Sequence, residues 1–238
     1  MRRLIIASVC SALWLPVVAP AEQVTVSGRV KLTAGEGKAP ASQLRNVVVW
    51  LKPSGGQFTP KLEPRQPLRL TQRNKRFEPH LLVVPVGAVV EFPNRDPFFH
   101  NVFSLFEGKR FDLGLYEAGT TRNVSFDRPG ISYIFCNIHA EMSAVVIALD
   151  TPYYGMSDKK GEIVIPDVPA GDYTLKVWAE TDLPQNLDAL TRQVKISSDS
   201  SSLGTLQIGT GLVPSAHKNK FGMDYEPPSP DSPGYKQH

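Results

Sequence analysis

Three residues with metal-binding side chains, Cys136, His139 and Met142, follow one another at intervals of three. Thiolate and thioether sulfur are soft ligands that favour Cu(I), while imidazole binds copper in either oxidation state. A further histidine, His100, lies upstream, shortly after a strand-like apolar run. Two imidazoles and a thiolate with a long axial thioether form the trigonal copper site of electron-transfer proteins. The sequence therefore predicts one copper ion bound by His100, Cys136, His139 and Met142.

The interval of three residues predicts a tight loop at this site. In a straight strand, successive side chains alternate between faces, so Cys136 and His139 would point away from each other. A tight loop can turn both side chains to one point. A free cysteine is usually a small buried hydrophobic residue, and it is the combination with His100 and Met142 that favours a metal over that structural interpretation.

Short strands bounded by turns surround the candidate ligands. An apolar run from Ala88 to Phe92 leads towards His100, and an alternating run from Ile131 ends at Cys136. A third apolar run, from Ser143 to Leu149, follows the ligand loop. Alternating runs of this length, separated by Gly and Pro turns, are typical of a β-sandwich.

The order of a histidine, a long gap and Cys-x-x-His-x-x-Met before an apolar strand resembles the cupredoxins over roughly residues 66 to 150. The ligand loop looks like that of amicyanin, the segment from His100 to Val102 resembles plastocyanin, and the domain resembles cupredoxins of bacterial methylamine utilisation. The resemblance implies a Greek-key β-sandwich with one type 1 (blue) copper. It also implies that Asn101 ties the two ligand segments together by hydrogen bonds, which fix ligand orientation.

The resemblance also implies how such a protein meets its partner. The downstream histidine of the family reaches the surface through an apolar patch, which here is His139 with Phe98 and Phe99 beside it. A redox partner protein is therefore expected to dock there, on a monomer of this chain. In enzymes of the wider family, histidines next to the cysteine connect the type 1 site to a second copper. Here Cys136 is flanked by Phe135 and Asn137. We therefore expect a one-electron carrier and not an enzyme.

A second all-β unit is indicated on both sides of the cupredoxin-like region. The run from Asp167 to Leu175 resembles the second half of a carboxypeptidase regulatory-like (transthyretin-like) sandwich, and the runs from Gly28 to Val30 and from Asn46 to Leu51 resemble its first half. Insertion of one domain into an exposed loop of another is tolerated. We therefore predict residues 22–56 and 151–212 as one sandwich, residues 57–150 as an inserted cupredoxin domain, and residues 213–238 as a disordered tail. An enlarged cupredoxin followed by a small transthyretin- or Ig-like sandwich remains open.

The first residues predict export. Arg2 and Arg3 precede an apolar run, and a small-x-small site ends at Ala21, as in a secretory signal peptide of residues 1–21 that is cleaved after Ala21. Cleavage removes two of the 26 basic residues, which leaves 24 against 23 acidic ones. This near-neutral chain has no run of basic residues that would bind nucleic acid. It also has no later apolar run long enough to span a membrane. We expect a periplasmic or secreted protein.

Export also bears on Cys136, because it is then the single cysteine of the mature chain. An unpaired thiol is a liability in an oxidising compartment unless a metal holds it. Two other functions remain open: a periplasmic copper carrier or store, and a partner- or glycan-binding module with a structural copper. The histidines outside the motif, His80, His217 and His238, are interpreted as solvated or structural.

Overall fold

The computed structural model describes residues 22–33, 44–55, 68–105, 107–210 and 217–225. These residues form strands with one six-residue helix, so the predicted all-β class is confirmed. The predicted signal peptide and much of the predicted tail lie outside the described residues. The elements are β1 (Gln23–Thr33), β2 (Val48–Pro53), β3 (Leu68–Arg69), β4 (Thr71–Arg73), β5 (Arg76–Glu78), β6 (Leu81–Pro85), β7 (Ala88–Pro93), β8 (His100–Ser104), β9 (Phe111–Tyr116), β10 (Thr121–Phe126), β11 (Gly130–Cys136), β12 (Ser143–Leu149), β13 (Tyr154–Met156), β14 (Glu162–Pro169), β15 (Gly171–Trp178), α1 (Pro184–Ala189), β16 (Arg192–Ile196) and β17 (Ser202–Gly209).

One sandwich is built from strands at both ends of the described chain. Its sheets have the orders β14-β1-β17 and β13-β2-β15-β16. Alternating apolar residues of these strands, such as Val26, Leu51 and Leu175, meet in one core. The chain leaves this sandwich after β2 and returns to it at β13, which pairs with β2. An inserted domain requires such a return to the same sandwich. The domain limits at residues 57 and 150 stay a prediction.

The strands between β2 and β13 form a second sandwich with its own core. Its main sheets have the orders β6-β12-β11-β8-β9 and β10-β7-β3, with the hairpin β4-β5 beside them. In β11, Ser132, Ile134 and Cys136 are buried at alternate positions, as the period of a strand requires. Ile134 and Cys136 therefore face the same core as Phe92 and Phe126.

Strand β12, an inner strand of the five-stranded sheet, joins the two sandwiches because it is apolar on both faces. Its residues Ala144 and Val146 face the core that contains Cys136. Its residues Val145 and Ile147 pack with Trp178 of the first sandwich in a third apolar cluster. This strand begins directly after the ligand loop, so the loop is anchored on a fully packed element.

A histidine at the junction of the sandwiches gives a pH-dependent contribution to stability. His80 Nδ1 lies 3.1 Å from the carbonyl oxygen of Ser143, and its Nε2 lies 2.8 Å from a Glu180 carboxylate oxygen. Only the imidazolium donates from both nitrogens at once. The hydrogen bond with Glu180 is the main reason why the pKa of His80 lies above its ordinary value of 6.5, although burial opposes it.

We therefore expect His80→Gln to lower the free energy of unfolding in mildly acidic solution. Because the pKa of His80 is higher in the folded state, its contribution to the free energy of unfolding is complete at pH values below the unfolded-state pKa of 6.5. This contribution is lost as the pH rises through the folded-state pKa. Because both partners are partly exposed, the difference should be roughly 0.5 kcal/mol. Denaturant unfolding between acidic and alkaline pH measures it; a difference that does not shrink with rising pH would exclude this role.

Candidate metal centre

Antiparallel pairing of β8 and β11 brings the first histidine beside the cysteine. His100 is the first residue of β8 and Cys136 is the last residue of β11. In the register of these strands Cys136 lies opposite Val102, so the start of one strand lies next to the end of the other. The long separation between the two residues in sequence is therefore closed by the sheet.

The loop after β11 turns the second histidine back onto the same point. The backbone N–H of Cys136 donates to the carbonyl oxygen of Met142 (3.1 Å), and the N–H of Met142 donates to that of His139 (3.1 Å). These two bonds close a tight loop between β11 and β12, as the interval of three residues predicts. The register of that pair, in which Phe135 lies opposite Ser143, continues directly into the loop.

Three of the four predicted ligands present their donor atoms to one place. Cys136 Sγ lies 3.6 Å from His100 Nδ1 and 3.6 Å from His139 Nδ1. One ligand atom from each of the three residues lies within 4.8 Å of the others. Met142, on the same loop, is fully buried and belongs to the same core as Cys136. The fold therefore brings together the predicted residues His100, Cys136 and His139.

His100 and Cys136 are buried and His139 is partly buried, and burial sets the protonation of all three. Burial lowers the pKa of His139 to about 4, and the nearby His100 adds to that effect. Burial also lowers the pKa of His100. Both rings are therefore neutral near pH 7 and carry a free lone pair. Burial raises the pKa of the Cys136 thiol, although the backbone N–H groups of Asn101 and Ile138 oppose it; binding a metal would release its proton.

Asp96 orients His100 and was not predicted from the sequence. Its Oδ2 lies 2.8 Å from His100 Nε2, and both residues are buried. The backbone N–H groups of Asn74 and Lys75 donate to the same carboxylate (2.5 and 3.0 Å). A carboxylate behind a ligating imidazole fixes the tautomer in which the other nitrogen is free for metal. The only sequence signal is an Asp four residues before the histidine.

Asn101 connects the two ligand segments through its backbone. Its carbonyl oxygen accepts the N–H of Asn137, in the ligand loop, at 2.9 Å. Its side-chain Nδ2 donates instead to Asp112 Oδ1 in β9 (2.7 Å). The hydrogen bond between the two ligand segments is thus made by the main chain of Asn101, while its side chain connects β8 to β9.

The residues present fit a copper ion. In a first-row metal site the imidazole nitrogen lies about 2.0 Å and the thiolate sulfur about 2.3 Å from the metal, which places the two donors about 3.5–3.7 Å apart at tetrahedral to trigonal angles. The observed separations are both 3.6 Å. The geometry suits any such ion, and the soft donor set with a buried thioether on the same loop selects copper.

An apolar surface lies around the partly exposed His139. The ring of Phe98 packs against both histidines, with ring centroids 5.3 Å from His100 and 5.7 Å from His139. Phe99 and Ile138 are 50% and 43% exposed. Phe98 is therefore part of the site's packing, and Phe99 and Ile138 provide the accessible apolar area; these two residues and the edge of His139 are called the apolar patch below.

The tail is ordered where it passes the site, so the prediction of disorder does not hold for residues 217–225. His217 was interpreted as solvated, but it is half-buried with its ring stacked on Phe135 at a centroid distance of 4.2 Å. Met223 is exposed, and His238 lies outside the described residues. The contacts of this segment could not be predicted from its polar composition, because they are hydrogen bonds and ring stacking, which leave no apolar periodicity in the sequence.

Comparisons with known proteins give structural likenesses only. No protein-family model and no curated protein match the chain. Similar solved structures include a purple cupredoxin from Nitrosopumilus maritimus (23% identity, TM-score 0.31, 34% of this chain and 96% of that one) and an oxidised mutant of amicyanin (20% identity, TM-score 0.33, 39% and 90%). A Cu-containing nitrite reductase from Thermus scotoductus SA-01 is also similar (22% identity, TM-score 0.34), with 50% of this chain covering 28% of that one.

The chain is all-β and contains a largely buried His-Cys-His cluster, and the solved structures similar to it include cupredoxins. At such identities and TM-scores they carry no argument about activity. The function proposed below is therefore derived from the residues and geometry of the site. Among the described residues, no helix is long and apolar enough to cross a membrane.

Proposed function

We propose that the chain is a type 1 copper protein that carries single electrons in the periplasm or outside the cell. The observation that carries this proposal is the convergence of His100, Cys136 and His139 on one point, with each Nδ1 3.6 Å from the sulfur. A copper ion held there would supply one-electron cycling between Cu(II) and Cu(I). The predicted signal peptide supports the compartment, and the single cysteine that an exported chain would keep supports a bound metal.

The burial of the site suits electron transfer because it keeps the ligands in one arrangement. His100 in β8 and Cys136 and Met142 at the ligand loop are fully buried, and backbone hydrogen bonds close that loop. Ligands whose rotamers are locked by packing are held close to one geometry. His139 is the partly exposed ligand, so its edge within the apolar patch is the natural point of contact with a redox partner.

Electron exchange by the copper-loaded protein tests the proposal. The mature chain should bind one copper, absorb strongly in the visible range when oxidised, and exchange electrons rapidly between oxidised and reduced copies. Phe99→Asp should slow the exchange while leaving the absorption unchanged. Val164→Asp is the matched control, because Val164 is also exposed (56%) but lies in β14 of the other sandwich. Slow exchange in the wild type, with rapid transfer of Cu(I) to an acceptor, would favour copper carriage instead.

The side chain of Met142 should tune the reduction potential without holding the metal. Met142→Leu removes a soft donor and should raise the potential, while Met142→Gln offers a harder oxygen that favours Cu(II) and should lower it. Each tenfold change in the relative affinity for the two oxidation states corresponds to about 59 mV for one electron. Redox titration of both variants measures the reduction potential. If neither substitution changes the potential, Met142 is not a ligand.

A further inference from the structure

The C-terminal residues 217–225 form a small turn with its own hydrogen bonds. The Oδ1 of Asn219 accepts the backbone N–H groups of Phe221 and Met223 (2.9 and 3.0 Å). The N–H of Asn219 donates to the carbonyl oxygen of Met223 (2.9 Å), and Gly222 takes a positive φ of 79° that the turn requires. The segment thus has a defined shape of its own.

This turn bonds directly to the ligand loop through atoms that bind no metal. The hydroxyl of Tyr225 donates to the carbonyl oxygen of Cys136 at 2.5 Å. The backbone N–H of Lys220 donates to Oδ1 of Asn137 at 2.8 Å. The cysteine ligand and the residue after it are therefore each held from outside by the C-terminal segment.

A second set of bonds connects the same segment to the strand of the first histidine. Lys220 Nζ forms an ion pair with Asp112 Oδ2 at 2.8 Å. The other oxygen of Asp112 accepts from Asn101 Nδ2 at 2.7 Å, and the carbonyl oxygen of Asn101 accepts the N–H of Asn137 at 2.9 Å. The bonds close a ring that passes through the C-terminal turn, β9, β8 and the ligand loop.

Ring packing completes the contact. The His217 ring stacks on Phe135, the residue before the cysteine, with a centroid distance of 4.2 Å and an angle of 27°. The Tyr225 ring meets His217 edge-on at 5.2 Å. Phe135, Cys136 and Asn137 are thus contacted in turn by His217, Tyr225 and Lys220.

We propose that residues 217–225 are a clamp that positions the metal-binding loop, with Lys220 and Tyr225 as its positioning residues. The inference deepens the proposed function and rests on it. Groups that orient metal ligands from outside typically change metal affinity by about 10–100-fold when they are lost. The clamp would restrict the loop before metal arrives and keep the same ligand geometry in both oxidation states.

The first test uses the full mature chain without metal. Cys136 is fully buried, so its reaction with a thiol reagent reports local opening of the loop. Loss of one hydrogen bond should raise that rate about fivefold in Tyr225→Phe and in Lys220→Met. Tyr173→Phe is the matched control for the first variant, because its hydroxyl also donates to a backbone carbonyl, that of Pro169 in the other sandwich.

The second test uses the copper-loaded chain. Tyr225→Phe and Lys220→Met should lower copper affinity about tenfold and shift the visible absorption and the reduction potential, while Lys220→Arg restores all three. Lys109→Met, which breaks the ion pair with Asp127, is the control for the lysine variant. Variants that match their controls in thiol reactivity and in copper properties would overturn the clamp. Faster thiol reaction in a chain that binds no copper would keep the clamp and reject the proposed function.

Discussion

Cys136→Ala is expected to abolish the visible absorption of the copper-loaded protein and to lower its copper affinity by more than about 100-fold. Loss of a residue that merely supports metal ligands lowers metal affinity about 10–100-fold, whereas Cys136 is proposed as a ligand itself, with its sulfur 3.6 Å from each imidazole Nδ1. In the proposed site its thiolate would also be the donor of the charge-transfer transition that gives the colour. Titration with Cu(II), followed by absorption and by competition with a chelator, measures both effects.

Ser132→Ala is the matched control for this variant. Ser132 is buried on the same face of β11, four residues before the cysteine, and its hydroxyl accepts the backbone N–H of Lys109. This substitution removes a small buried group from the same strand without touching the donor cluster. A Cys136→Ala protein that keeps its colour, or a Ser132→Ala protein that loses it, would contradict the assignment of the thiolate.

The closeness of Cys136 and His139 could be predicted from the sequence because their spacing reflects local structure. An alternating strand that ends at Cys136 and an interval of three residues to His139 require a loop closed by backbone bonds, and the structure contains that loop. The partnership with His100 depends on the antiparallel pairing of β8 and β11, which no alternation indicates, because β8 is buried at all five positions. Periodicity thus accounts for the strand that ends at Cys136, whereas the choice of His100 depends on its resemblance to the cupredoxins.

Residues that act through hydrogen bonds leave no such pattern. Asp96 lies in an irregular segment before β8, and only the folded chain shows that its carboxylate meets His100 and the N–H groups of Asn74 and Lys75. The clamp residues Lys220 and Tyr225 lie far from the site in sequence, within a polar tail. Disorder is the natural prediction for such a composition, because composition cannot reveal that a turn fits against a particular loop.

The short helix α1 is a further element that the strand pattern did not predict. It follows Leu183 and begins with Pro184, whose fixed φ and missing N–H suit the first turn of a helix. Its one buried residue, Leu187, joins the core of the first sandwich. One buried residue in six positions gives no helical periodicity, so the sequence could not distinguish this helix from a loop.

Asp96→Asn is the second substitution with a large expected effect. Burial alone would raise the pKa of Asp96, but hydrogen bonds from Lys75, His100 and Asn74 outweigh it, so the pKa lies below its ordinary value and the group is an anion at neutral pH. The amide keeps the size of the side chain but removes the charge and one acceptor. His100 would then lose its charged partner, and we expect copper affinity to fall about 10–100-fold.

The same substitution should raise the reduction potential, because a nearby negative charge stabilises Cu(II) more than Cu(I). The loss of Cu(II) affinity should therefore exceed the loss of Cu(I) affinity, with about 59 mV for each tenfold difference. Asp127→Asn is the matched control, since Asp127 is an exposed carboxylate paired with Lys109. If Asp96→Asn and Asp127→Asn bind copper equally well at the same potential, the buried Asp96–His100 pair only stabilises the fold, and His100 is held in place by the packing of β8 and Phe98.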